Sequence, residues 1–164
     1  MVAYLDIETT GLSSFNDRIT VIGVALTHGR TVDHVQLYDD TLTSKHLAAA
    51  LQGVTALYTY NGERFDLPFI AHYLGVDLAE RFRHHDLMYD CWQKRLYGGL
   101  KAVEARLGIG RKVVGVNGYE AVLLWQRYEE YGDAQALETL LAYNREDAGN
   151  LILLRKKLKE YSAR

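Results

Sequence analysis

The sequence predicts an α/β protein in which a mixed sheet carries helices on its faces. Two observations predict it. Strand-like apolar runs rich in β-branched and aromatic residues lead the chain, and helical periodicity takes over from Gly98 onward. A helical segment also falls between the third and fourth strand-like runs, an order that indicates a mixed rather than purely antiparallel sheet.

Residues 2–7 read as a strand that runs into the turn Thr9-Thr10-Gly11. "RITVIGVALTHG" is apolar on both alternating faces and reads as a buried strand. "TVDHVQLYDD" follows the Gly29-Arg30 turn, alternates more clearly and reads as a hairpin partner nearer an edge. Thr43 or Ser44 caps a helix through about Gln52, with Gly53 as its stop. "ALYTYNG" is a fourth strand closed by Asn61-Gly62. "DLPFIAHYLG" reads as a helix with Pro68 in its first turn and Gly75 past its end. "RHHDLMYD" holds a short fifth strand. The helical half breaks at "LGIGRKVVGVNG" and at Gly132, and its last helix covers about 134–161. No repeat, low-complexity tract or linker interrupts the chain, so residues 1–164 read as a single domain.

Composition narrows the class. The chain has 164 residues, 48% apolar and 24% charged, enough to bury a core. A net charge of -2 makes no global case for a polyanion partner, although local patches outweigh the sum. Cys91 is the only cysteine, so no internal disulfide forms, which fits a reducing compartment. No basic-then-apolar leader opens the chain, and no apolar run reaches the roughly 18 residues of a membrane span. The expectation is a soluble, cytoplasmic protein with no membrane partner.

The chemistry lies in misplaced carboxylates. Side chains alternate along a strand, so Val2, Tyr4, Asp6 and Glu8 share one face and Ala3, Leu5 and Ile7 the other. Two adjacent carboxylates raise each other's pKa unless something compensates. A divalent cation is one answer, and oxygen ligands favour Mg²⁺ or Mn²⁺. A solvated strand end is the other. Asp66 follows a strand and turn and opens a helix, where capping is its plain role. Leu137, Leu140, Asn144, Asp147, Leu151, Leu154 and Leu158 fall at steps of three and four, on one stripe of the last helix. Asp147 thus sits in an apolar stripe and needs a partner, a proton or a metal; an arginine across the core is the simplest partner. Tyr143 lies one turn earlier on the same face. Four carboxylates from these three places can converge at one end of a sheet. Two divalent cations would neutralise them, the arrangement for two-metal hydrolysis of a phosphodiester.

"DIETTGL" (6–12), "YNGERFDLPF" (60–69) and "YNRED" (143–147) resemble, in order, the three motifs of the DnaQ-like 3′–5′ exonucleases of the ribonuclease H-like superfamily. The second has the form seen in family-B polymerase proofreading domains, and the tyrosine of the third resembles the DEDDy subgroup. "LKAVEARLGI", "GYEAVLLWQRYEEYGD" and "LLAYNREDAGNL" look most like the YprB-type ribonuclease H-like domain, so that the likeness covers essentially the whole chain. The resemblance implies a five-stranded sheet of order 3-2-1-4-5 with the second strand antiparallel. It implies a 3′–5′ exonuclease using two divalent cations, Mg²⁺ or Mn²⁺, on a single-stranded nucleic acid or a 3′ end, DNA or RNA. Asp6, Glu8 and Asp147 would ligate the first metal, Asp6 would bridge to the second, and Asp66 would hold the second directly or through water. Tyr143 would orient the attacking water, since a phenol of pKa near 10 suits positioning better than proton abstraction. Asn61 would lie near the substrate's 3′ end, and Thr9 would meet the terminal hydroxyl. Leu12 would wedge against the last base, and Phe65 would either stack on a base or join the core. The alternatives on this scaffold are a non-catalytic nucleic-acid-binding module and a structure-specific endonuclease. The presence of all four acids and the tyrosine argues against the first.

Other features have plainer readings. Arg111 and Lys112 lie in a Gly-rich loop, read as solvated in preference to phosphate-binding. His84 and His85 point to opposite faces of a strand and cannot easily share a metal. "RKKLKEYSAR" is a basic helix end favoured by the helix dipole. Cys91 reads as a small buried hydrophobe.

Overall fold

The computed structural model describes residues 1–161. Its strands are β1 (Val2–Thr9), β2 (Ile19–His28), β3 (Thr31–Leu37), β4 (Ala56–Thr59) and β5 (Arg83–Asp86), and its sheet order is β3-β2-β1-β4-β5. β2 is antiparallel to β1 and β3, whereas β4 and β5 run parallel to β1. This is the order the resemblance implied. β1 continues past its expected end, so that Glu8 still pairs with Val21 and Thr9 with Ile19, across a register shift between Glu8 and Thr9. The shift leaves Thr20 of β2 without a partner on β1, an irregularity that bends the strand carrying the extra residue.

Among the described residues the α-helices are, in order, α1 (Ser44–Ala50), α2 (Asp66–Leu74), α3 (Leu78–Arg81), α4 (Leu87–Gln93), α5 (Leu100–Leu107), α6 (Gly118–Tyr131) and α7 (Ala134–Glu160). Alternation along β1 divides them. Ala3, Leu5 and Ile7 pack with Leu47 and Leu51 from α1 and its end and with Leu67, Phe69 and Ile70 of α2. Tyr4 on the other face packs with Leu151, Leu154 and Leu158 of α7, Val103 of α5 and Leu87 of α4. Val21 of β2 adds a third cluster with Trp125 of α6 and Leu140 and Tyr143 of α7. Because both sheet faces are covered, β2 is buried from Ile19 through Leu26, while β3 at the edge begins with exposed residues. The two-sided apolar pattern of β2 has this cause.

Local chemistry sets the helix starts. Thr43 caps α1 by accepting the His46 amide, and Asn117 and Glu120 form a reciprocal capping box on α6. Gly132, at φ 67°, turns the chain between α6 and α7 in the left-handed region open to glycine. The sequence reading has no counterpart to α3 or α4. Both are too short to show a helical period, and α4 starts where β5 ends, capped by Asp86 through a 3.0 Å bond from the Met88 amide. The basic end of the chain forms the last turns of α7, and residues 162–164 of it lie outside the described residues. Among the described residues, no helix is long and apolar enough to cross a membrane.

Candidate active site

β1 and α7 supply the centre of the site. Asp6 and Glu8 point to the α7 side of the sheet, and α7 presents Asp147 from its buried stripe. One carboxylate oxygen from each of Asp6, Glu8 and Asp147 lies within 4.8 Å of the others. Asn144, one turn before Asp147, pins the helix to the strand. Its Nδ2 donates to the Asp6 carbonyl at 3.2 Å and to Asp6 Oδ2 at 3.1 Å. Its Oδ1 accepts from Gln36 Nε2 of β3 at 3.0 Å. Gly23, opposite Asp6 on β2, makes this approach possible, since a Cβ there would stand 2.1 Å from Asn144 Oδ1.

Asp66 is placed differently. Phe65 occupies the cap position of α2, so Asp66 is its first helical residue and is no cap. Its buried Oδ1 instead accepts the Ile7 amide of β1 at 3.1 Å. It stands outside the three-carboxylate cluster and acts on it through charge.

Burial is the main force on these acids. It pushes the Asp6 carboxyl well up, reinforced by the charges of Asp147, Glu8 and Asp66, with the Asn144 amide opposing. Glu8 rises for the same reason, with Asp147 and Asp66 adding to burial. Asp66 is pushed up to about 7 by burial, against the hydrogen bond from Ile7. Burial also raises Asp147, and Arg111 opposes it. The Tyr143 hydroxyl is held far above its ordinary range by burial and by Asp147 and Glu8, and it stays protonated.

The residues fit a hard divalent cation. All three clustered donors are carboxylate oxygens, the donor type that Mg²⁺ and Mn²⁺ prefer. Glu8 Oε1 is buried with no hydrogen-bond partner, a costly state that a cation would relieve. Asp6, Glu8 and Asp147 are the residues able to hold it.

Arg111 corrects the sequence reading. Its side chain is only 12% exposed and does not extend into solvent. Nε donates to Glu104 Oε2 at 2.5 Å and Nη2 to Glu104 Oε1 at 3.1 Å. Nη2 also donates to Asp147 Oδ1 at 2.5 Å. Lys112 is tied through its backbone, whose amide donates to Glu146 Oε1 at 2.6 Å. The arginine that the buried Asp147 called for is thus in the loop after α5. The missed signal was Glu104, an acid on the same stripe as Leu100, Val103 and Leu107, which needs a cation as Asp147 does.

A family model described as the RNase_H superfamily matches residues 3–159. The chain belongs to the RNase_H superfamily. Solved structures share this RNase_H fold. One is described as the apo form of a nuclease, at 21% identity and TM-score 0.65, over 97% of this chain and 72% of that one. Brucella melitensis NrnC bound to pGG gives the same values, and the same protein with bound Mg²⁺ gives TM-score 0.64 at 21% identity and the same coverage. A family B DNA polymerase from Pyrobaculum calidifontis is 16% identical at TM-score 0.70, over 96% of this chain and 24% of that one. At such identities the likeness is one of fold. No curated protein matches the chain.

In this RNase_H domain a cleft of about 570 Å³ opens onto the acids. Asp6, Glu8, Thr9, Leu12, Phe65, Tyr119, Tyr143 and Asp147 are among its lining residues. Thr9 Oγ1 donates to the Gly11 carbonyl at 2.5 Å. Leu12 is 87% exposed, and Phe65 also packs on Phe69 with ring centroids 4.8 Å apart. Tyr119, exposed at the start of α6, is a lining aromatic that its helical pattern did not single out. Asn61 is not among the lining residues. It holds the turn after β4 at φ 62°, with its amide donating to Asp86 Oδ1 at 2.8 Å. His84 and His85 part as expected, His84 to Thr59 Oγ1 at 2.8 Å and His85 onto the Tyr58 ring.

Proposed function

We propose that this chain is a metal-dependent nuclease of the tyrosine-bearing DnaQ-like type, which removes nucleotides from the 3′ end of single-stranded DNA or RNA. The observation that carries this reading is the Asp6–Glu8–Asp147 cluster, with an unpartnered Glu8 oxygen, opening into the cleft. The solved structures of NrnC with Mg²⁺ and with pGG support it by likeness of fold.

Asp6, Glu8 and Asp147 would hold one divalent cation, and Asp66, directly or through water, would help to hold a second. When bound, the cations supply the Lewis acidity that phosphodiester hydrolysis requires. Tyr143, protonated, donates a hydrogen bond that orients the attacking water, and Asn144 keeps Asp6 aimed. Leu12 and Phe65 would receive the terminal bases on the cleft's apolar wall, and Thr9 would meet the 3′ hydroxyl.

Incubation with Mg²⁺ or Mn²⁺ and 5′-labelled single strands tests the proposal. A ladder shortening from the 3′ end is the expected result, and Asp147→Asn should abolish it with the fold intact. Cutting of a circular strand would instead indicate an endonuclease. A folded, ion-loaded protein that cleaves nothing would be a binding module, and the proposal would be wrong.

A further inference from the structure

Arg111 is anchored independently of the acid it neutralises. Glu104 is 1% exposed and accepts from Asn150 Nδ2 at 3.1 Å as well as from the guanidinium. The Arg111 fork therefore rests on a fixed, buried base. Only Nη2 is shared, with Glu104 at 3.1 Å and with Asp147 at 2.5 Å. If Asp147 were withdrawn, both bonds to Glu104 would remain, Nε to Oε2 and Nη2 to Oε1. The contact with Asp147 is the separable one.

Asp147 is also one of the three clustered carboxylates. A guanidinium and a divalent cation on one carboxylate would be like charges a few ångströms apart, in a buried setting that screens them poorly. The other nearby cation behaves differently. Lys101 Nζ stands 4.6 Å from the centre of the Tyr143 ring and donates to the Val116 carbonyl. It contributes positive field but occupies none of the three carboxylates.

We infer that Arg111 holds the cation's place in the ion-free protein: it neutralises Asp147, and gives that carboxylate up when a divalent ion binds, while Glu104 retains the guanidinium. Arg111 is thus a positioning residue that lowers ion affinity and keeps the acids together before loading. The inference rests on the metal centre proposed above.

Removing Arg111 alone would leave Glu104 buried and unpaired, a change that unfolds many proteins. The test therefore uses Glu104→Gln with Arg111→Met, which removes the pair and leaves net charge unchanged. Mn²⁺ binding is measured by calorimetry without nucleic acid. The double variant should bind Mn²⁺ on the order of tenfold more tightly than the parent chain, and should melt at a lower temperature in chelator. Equal or weaker binding would overturn the inference. Lys101→Met should tighten binding less than the double variant; an equal gain would mean that field rather than competition is at work, and would also overturn it. In the unmodified protein, saturating Mg²⁺ should shift the Arg111 Nη resonances and leave the Nε–H protected. Unmoved Nη signals at saturation would contradict the displacement even if the double variant fails to fold. If the unmodified chain binds no ion at all, the metal centre itself is refuted, an outcome distinct from unchanged affinity.

Discussion

Tyr143 and Asp147 share one turn of α7, yet they face the site with opposite chemistry. Asp147 presents a carboxylate paired with Arg111, whereas Tyr143 is a buried, protonated phenol. Tyr143→Phe keeps the ring and its packing and deletes only the hydroxyl. Under the proposed function it should slow cleavage by roughly ten- to a hundredfold, the scale of one lost positioning hydrogen bond, and leave ion affinity unchanged in a direct titration. A loss as complete as that of Asp147→Asn would mean that the hydroxyl does more than orient water. The residue scale is also where the sequence was most legible. Asp6 and Glu8 stood out because they break an apolar alternation, and Asp147 because it breaks an apolar stripe. Arg111 did not stand out, since its partners lie 7 and 36 positions away and a Gly-rich loop carries no period that would aim it.

At the scale of elements, the site depends on how closely α7 can approach β1 and β2. Asn144 reaches β1 and Gln36 only because Gly23 presents no side chain. Gly23→Ala should cost about 1–3 kcal/mol, as overpacked interiors do. Its effect should also reach chemistry, because the displaced amide no longer supports Asp6. Chemical denaturation and a cleavage assay on the same sample check both halves. An alanine variant as stable and active as the parent would show that α7 yields more than its packing suggests. The five strands and the long last helix could be read from periodicity, whereas the sheet order came from the family resemblance. The start of α4 could not, because seven residues after a strand show neither period clearly, and the signal was the cap Asp86.

For the whole molecule, buried acids make stability depend on pH. Asp66 titrates near 7 in the folded chain, against an ordinary value near 4 when unfolded. The folded state therefore binds more protons than the unfolded state between those values. The stabilisation is full below about pH 4 and is lost as pH rises to about 7. In chelator, the melting temperature should fall between about pH 4 and pH 7, and Asp66→Asn, which keeps an acceptor for Ile7, should flatten that slope. An unchanged slope would show that Asp66 is not the source. Asp86 carries a different consequence. Its carboxylate takes the amides of Asn61 and Glu63 in the turn after β4, at 2.8 and 3.1 Å, as well as that of Met88 at 3.0 Å. A connecting turn ordinarily exchanges its amide hydrogens with solvent quickly. Here two of them are sealed against a buried acid, so Asn61 and Glu63 should exchange on the timescale of the central strands. Asp86→Ala should release both, leaving a fast-exchanging gap immediately before Asp66.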